Sequence, residues 1–218
     1  LEEIKMTLSL LKGLSAATVL ALVSVSCGTE PVSSSEELER KSGTSANSWQ
    51  DARLVDDALG KSEAVRINGR TNYITYYKSG KPVAKWKVAT GRAGKETPKG
   101  IFAIHFKDVC PPWSKDGVTV PGCSPDNPLG RKALWFYEGF IYGMHGVNLG
   151  AIDSVTSSNP RDRDRSAGCV RNHPENIEWL FSNTKVGTPV VVGLWDADPA
   201  VVDCSGDAAA CARAAAGN

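Results

Sequence analysis

A chain of 218 residues, 41% hydrophobic and 22% charged, is long enough for one domain with a self-sufficient core plus extensions. Lys+Arg 25 against Asp+Glu 24 leaves a formal charge of +1, which excludes a field that would draw the chain to nucleic acid or to an anionic membrane. Six cysteines in so small a chain point away from the reducing cytosol.

Residues 13–26 run Gly-Leu-Ser-Ala-Ala-Thr-Val-Leu-Ala-Leu-Val-Ser-Val-Ser behind Lys12, without a charge. A basic flank, an apolar centre and small terminal residues are the parts of an export signal, and the stretch is too short for a comfortable membrane span. Ser24-Val25-Ser26-Cys27 resembles the cleavage region of a bacterial lipoprotein signal, in which the cysteine becomes the acylated N-terminus. Ser24 stands where such signals commonly carry Leu. Two readings follow: a lipoprotein anchored through Cys27, or a secreted protein with a cysteine after its signal. The expected organisation is a signal at 1–26, a flexible polar linker at 27–48, a helical lead-in at 49–63, a core domain at 64–195 and an extension at 196–218. The linker has too little apolar surface to offset the entropy of ordering it, and the extension ends in a loose Ala- and Gly-rich tail.

Within the core, Ala52, Leu54, Val55 and Leu59 recur at helical spacing. Strands are predicted at 64–67, 71–78 and 83–89, separated by Asn68-Gly69 and by Ser79-Gly80-Lys81-Pro82, both turn signals. Alternation in Lys85-Trp86-Lys87-Val88 sends Trp86 and Val88 inward. Residues 100–106 read as one further strand. Residues 108–130 hold five prolines with Cys110 and Cys123, and read as a loop that ladders cannot use. Strands follow at 134–137 and 140–144, and then a polar segment, 146–166, without periodicity. Arg161, Arg163 and Arg165 alternate there with Asp162 and Asp164, as in a solvated, self-paired loop. Pro174-Glu175 opens a helix with an apolar face of Ile177, Leu180 and Phe181, and 188–194 closes as a buried strand. The fold class expected is mainly β with one short packed helix. No Gly-rich phosphate loop and no paired Cys-x-x-Cys site occurs, so neither cofactor nor metal is expected.

Two segments carry chemistry. In Ser166-Ala167-Gly168-Cys169-Val170-Arg171-Asn172 a cysteine sits in a Gly-containing turn, and in Tyr142-Gly143-Met144-His145-Gly146 a histidine ends a strand. That is a thiol with a base to take its proton. A buried structural cysteine with an unrelated histidine is the alternative. Setting Cys27 aside for the lipid and joining Cys110 to Cys123 and Cys204 to Cys211 leaves Cys169 as the one unpaired thiol. Loop lengths permit both bridges and do not prove them.

Met144-His145-Gly146, followed at a distance by Ser166-x-Gly168-Cys169-x-Arg171, resembles the catalytic signature of the bacterial L,D-transpeptidase (YkuD-like) family. Ala89-Thr90-Gly91, Thr97-Pro98-Lys99-Gly100-Ile101-Phe102, Asn127-Pro128-Leu129-Gly130 and Gly187-Thr188-Pro189 are similar to the family's other motifs, in order. There are two departures. Ala167 stands where many members have His, and the 24-residue spacing from His145 to Cys169 exceeds that of compact members. The resemblance implies a β-sandwich or barrel-like fold and an enzyme of the cell envelope, on its periplasmic side. Cys169 would be the nucleophile, His145 the base and the Gly146 carbonyl its orienter, with amides at Gly168 and Cys169 forming the oxyanion site. The implied partners are peptidoglycan stem peptides, bound by a monomer that meets the membrane only through its lipid. The activity would be 3→3 cross-linking through a thioester. The alternatives are an L,D-carboxypeptidase that resolves the same thioester with water, and a non-catalytic peptidoglycan-binding module. Arg171 could hold stem carboxylates or brace the loop. Ser166 and Trp135 are further candidates for substrate contact, with core packing the other reading of Trp135.

Overall fold

The computed structural model describes residues 47–137 and 141–217. The expected signal, Cys27 and the linker before Asn47 lie outside them. Among the described residues no helix is long and apolar enough to cross a membrane.

Helix α1 (Ala52–Leu59) follows a 3-10 turn at Ser48–Gln50, and the Asp51 carboxylate caps it by accepting from the amides of Arg53 and Leu54. Its Ala58 and Leu59 are buried with Ala64, Tyr77 and Val191 in a small cluster of their own. Strands β1 (Glu63–Asn68), β2 (Tyr73–Lys78) and β3 (Lys81–Gly91) then form an antiparallel meander around the two turns read from the sequence. Strands β4 (Gly100–Ala103), β5 (Phe106–Val109), β6 (Trp113–Lys115), β7 (Val118–Val120), β8 (Lys132–Trp135) and β9 (Gly143–His145) come next. After the short helix α2 (Asp153–Thr156) come β10 (Asp164–Ser166) and β11 (Val170–Asn172), helix α3 (Pro174–Asn183), β12 (Pro189–Gly193), β13 (Val202–Asp203) and helix α4 (Ala208–Ala216).

Nine strands hydrogen-bond in the order β4-β12-β1-β2-β3-β11-β9-β8-β5, with β10 and β13 also on β3, while β6 and β7 form a separate hairpin. The sheet curls around one core that includes Val65, Ile74, Trp86, Trp135, Met144 and Val192, closed from outside by Ile177, Trp179 and Leu180 of α3. Alternation buries Trp86 and Val88 and leaves Lys85 and Lys87 half-buried beside them.

Four expectations are corrected. The strand read at 100–106 is two strands in different parts of the sheet. β4 pairs with β12, whereas β5 pairs with β8, and the chain crosses between them at Ile104 and His105, whose amides donate to Thr188 and Trp135 carbonyls. Alternation shows which residues face inward but not which neighbour receives the ladder. Part of the Pro-rich segment is laddered, as the end of β5 and as the β6-β7 hairpin. The tail is not loose: alanine favours helix, Asp207 caps α4, and the helix packs on α3 and β3 with Cys211 and Ala214 buried. Arg163 belongs to no solvated loop. It is 0% exposed, with Nε donating to the Val88 carbonyl, Nη1 to that of Ser157, and Nη2 to those of Thr71 at 2.7 Å and Asn72 at 3.3 Å. The guanidinium pins segment 157–164 to the β2-β3 hairpin, work that Arg161 and Arg165, both exposed, do not share.

Candidate active site

Strand register assembles the site. His145 on β9 is flanked by Ala133 on β8 and Arg171 on β11, and Arg171 in turn faces Ala89 on β3. Directly opposed residues share a face of the sheet, so Ala133, His145, Arg171 and Ala89 form one row across four strands. The two alanines leave room for the imidazole and the guanidinium between them. Cys169 lies one residue before β11, and alternation returns it to the side that carries Arg171 and His145. It is 1% exposed, with Sγ 3.6 Å from the Ile141 carbonyl oxygen.

The turn that presents Cys169 is held on all sides. Ser166 Oγ donates to the Cys169 carbonyl at 2.5 Å and accepts from the Gly168 amide at 3.0 Å. Thr97 Oγ1 donates to the Gly168 carbonyl at 2.8 Å and accepts from the Gly91 amide at 3.1 Å. The Arg92 amide and Nη1 both donate to the Ser166 carbonyl. Gly168 has φ +121, and a Cβ there would stand 2.0 Å from Tyr142 Cε1. No side chain fits without moving a buried ring. Gly168→Ala is therefore expected to lower stability by about 2 kcal/mol or more and to displace the turn. Urea denaturation, with near-ultraviolet dichroism of Tyr142 and its neighbours, checks this.

His145 is 2% exposed, and its Nδ1 lies 2.5 Å from the Gly146 carbonyl oxygen. Burial pushes its pKa down from 6.5 to about 3, Arg171 adds to the depression, and the carbonyls of Gly146 and Leu129 partly oppose it. The imidazole is thus neutral at physiological pH, in a seat whose carbonyls favour a proton once one arrives. Leu129 is set in place by Asn127, whose Oδ1 accepts from the Leu129 amide at 2.8 Å while Nδ2 donates to Pro111 and Pro121 carbonyls. The Cys110–Cys123 disulfide closes that same loop. Gly130, at φ +67, packs against Gly146, where a Cβ would come within 3.1 Å. Beside Gly146 opens a cavity of about 340 Å³ whose lining includes Asn127, Gly130, Val147, Leu149 and Ile177.

Several expected roles change. Among the described residues no cysteine is a free thiol, and Cys169 is in the disulfide state, so the parity argument that left it unpaired is overturned and its chemistry requires prior reduction. The Gly168 amide is committed to Ser166 and does not face an oxyanion in this state. Ser166, 1% exposed, braces the turn instead of facing a substrate. Trp135 is a core residue, wholly buried on β8, so it lines no cleft. Disulfides join Cys110 to Cys123 and Cys204 to Cys211. His173 caps α3, its Nδ1 accepting from the Glu175 amide at 3.3 Å. Among the described residues no cluster of His, Cys, Asp or Glu could hold a metal ion.

Thr97 and Gly91 lie in segments noted in the sequence for family likeness, and the structure gives them a task, bracing the nucleophile turn. Asn172, which closes the cysteine-bearing segment and receives no role from the sequence, donates from Nδ2 to the His145 carbonyl at 3.3 Å and accepts at Oδ1 from Trp86 Nε1 at 2.9 Å.

Known proteins resemble this chain in sequence. The family described as the L,D-transpeptidase catalytic domain (YkuD) matches residues 62–192. A putative L,D-transpeptidase YqjB of Bacillus subtilis is 34% identical over 143 residues, covering 64% of this chain and 76% of the relative. A probable L,D-transpeptidase ErfK/SrfK of Salmonella typhimurium is 30% identical, covering 60% of this chain and 44% of its own length. The chain thus spans three quarters of the first relative and under half of the second. The solved catalytic domain of an E. faecium L,D-transpeptidase is similar at 22% identity and a TM-score of 0.46, over 60% of this chain and 96% of that one. With the family match extending from β1 into β12 of the curled sheet, and enclosing every residue of the His145–Cys169–Arg171 group, the chain belongs to the YkuD L,D-transpeptidase catalytic-domain family.

Proposed function

We propose that the protein forms 3→3 cross-links between peptidoglycan stem peptides through a thioester on Cys169. The observation that carries this reading is the row that sets His145, with Nδ1 against the Gly146 carbonyl, beside Arg171 and the turn bearing Cys169. In the reduced enzyme, His145 takes the thiol proton, and the Arg171 guanidinium stabilises the thiolate that results. The sulfur attacks the carbonyl carbon of stem residue three, and the tetrahedral oxyanion forms near Arg171 and the Cys169 amide. The bond to the terminal D-Ala then breaks, the departing amine takes the proton from His145, and a thioester remains. An amine on a second stem attacks the thioester, forms the new amide and returns the thiolate. Water in place of that amine would make the same enzyme a carboxypeptidase. In the reduced chain Cys27, outside the described residues, would carry the lipid that holds this monomer to the membrane.

The test uses the purified chain after mild reduction. A carbapenem, which acylates cysteine nucleophiles of this family, is expected to add its mass to the wild type and not to Cys169→Ala, as read by intact-protein mass spectrometry. An unmodified wild-type mass after long exposure would overturn the reading. Incubation with a disaccharide tetrapeptide then separates cross-linked dimer from trimmed tripeptide.

A further inference from the structure

Arg92 is an exposed cation beside the site that the catalytic motif does not include, and one of its guanidinium nitrogens is held by the turn while the rest of the fork is uncommitted. Register places Arg171 opposite Ala89 of β3, and Arg92 leaves the end of that strand directly after Gly91. Its position is fixed, since its amide and Nη1 both reach the Ser166 carbonyl at 3.1 Å, on the turn that bears Cys169. Two guanidinium groups therefore flank the turn that bears Cys169, and burial together with Arg92 pushes the Arg171 pKa down.

The buried arginines have their charge answered. Arg66 has Asp198 at 3.6 Å, and Arg163 sits among backbone carbonyls. Among the described residues, neither Arg92 nor Arg171 has a carboxylate within 4.0 Å: the ion pairs there belong to Arg66, Arg70, Arg131, Arg213 and three lysines. Arg92 is exposed and Arg171 half-buried, and a half-buried guanidinium with a like charge beside it and no counter-charge carries a cost that a bound anion would relieve. The planar fork of arginine suits a carboxylate in particular.

A stem peptide can offer two carboxylates near the reacting bond. One is on the terminal residue, which leaves in the first step. The other exists only where the third residue is a diamino diacid, and it stays on the enzyme through the thioester. A cation pair built into the turn can hold the second through both half-reactions, but the first only until the leaving group departs. We propose that Arg92 and Arg171 form a two-guanidinium clamp for the side-chain carboxylate of the third stem residue, so that the enzyme selects acidic stems over stems in which that group is an amide or is missing. The clamp rests on the acyl-transfer reading above.

The experiment compares kcat/KM for four disaccharide tetrapeptides: a diamino diacid third residue, the same residue with its side-chain carboxylate amidated, a lysine third residue, and the diacid stem with an amidated terminal carboxylate. The wild type is expected to favour the diacid stem over the side-chain amide and the lysine stem by about tenfold to a hundredfold, mainly through KM. Arg92→Gln should erase most of that preference, read as the ratio of diacid to side-chain amide within the variant, and Arg92→Lys should fall between because ammonium is a point charge. Equal wild-type turnover of diacid and amide stems, or one common slowing of every stem by Arg92→Gln, overturns the clamp and leaves acyl transfer standing. If the preference instead follows the terminal carboxylate, the pair serves the leaving residue and side-chain selection is overturned. No turnover of any stem, with no carbapenem adduct, removes both readings. The wild-type ratios decide the matter even if Arg92→Gln does not fold.

Discussion

Replacing His145 by Gln is expected to lower stem-peptide turnover about 10³- to 10⁴-fold, since no other group in the row can take the thiol proton. The same substitution should change how the protein responds to acid. The unfolded chain protonates His145 near pH 6.5 and the folded chain only near 3. The folded state therefore binds fewer protons between those values, and its stability falls as the pH drops. That stability is fully present above pH 6.5 and is lost progressively on the way down to about 3, to a total of roughly 4 to 5 kcal/mol at one pKa unit per 1.36 kcal/mol. Gln has a similar size and does not titrate, so urea midpoints of His145→Gln should lose less between pH 6.5 and 3 than those of the wild type. Parallel curves for the two proteins would contradict the buried, neutral imidazole. Turnover itself should show no inflection from His145 near pH 6 to 7, because the residue is already neutral there.

The second large effect concerns stability at a position with no part in the chemistry. Arg163→Ala is expected to destabilise by about 3–5 kcal/mol, as removal of one side of a buried charged network does. Four backbone carbonyls, of Val88, Ser157, Thr71 and Asn72, lose their donor at once, and a cavity opens beneath the Tyr73 ring, 5.4 Å from the guanidinium carbon. Arg163→Lys should recover only part of this, since one ammonium cannot span carbonyls on two segments. Arg161→Ala, an exposed neighbour in the same run, should cost within about 0.5 kcal/mol. Denaturant midpoints of the three variants separate a pinned segment from a solvated one.

The contrast within that run shows where sequence reading stops. Arg-Asp-Arg-Asp-Arg looks the same at 161 and at 163, because neither composition nor period records that the chain turns at Pro160 and drives one side chain under the hairpin. The candidate catalytic group was legible because its parts are short, continuous segments in which Gly, His, Cys and Arg have few other reasons to be adjacent. Trp86 and Val88 were legible because a strand's period is local. Trp135 was not assigned, since alternation cannot distinguish the core face from the wall of a cleft when both are apolar. The switch of the chain between β4 and β5 was invisible for a related reason: each half alternates correctly, and only the positions of β12 and β8 divide them. Arg92 gave no signal beyond following Gly91. Its isolation from carboxylates is a property of three-dimensional neighbours, which no local pattern contains.

The docked C-terminus bears on what counts as the domain. The Cys204 amide donates to Lys85 on β3, Asn176 of α3 bridges the Cys204 carbonyl and the Gly206 amide, and Lys78 Nζ reaches the Ala215 carbonyl. Cys204, Cys211 and Ala214 sit in the same core as Trp86 and Met144. The family match ends at residue 192, yet the packed unit runs on to Ala216, so the border of homology and the border of the packed core do not coincide. A chain cut at the homology border would bare the flank of α3 and one side of β3, the strand against which β11 and the nucleophile turn are laid. In this member the extension is a girdle for the catalytic strand, tightened by its own disulfide.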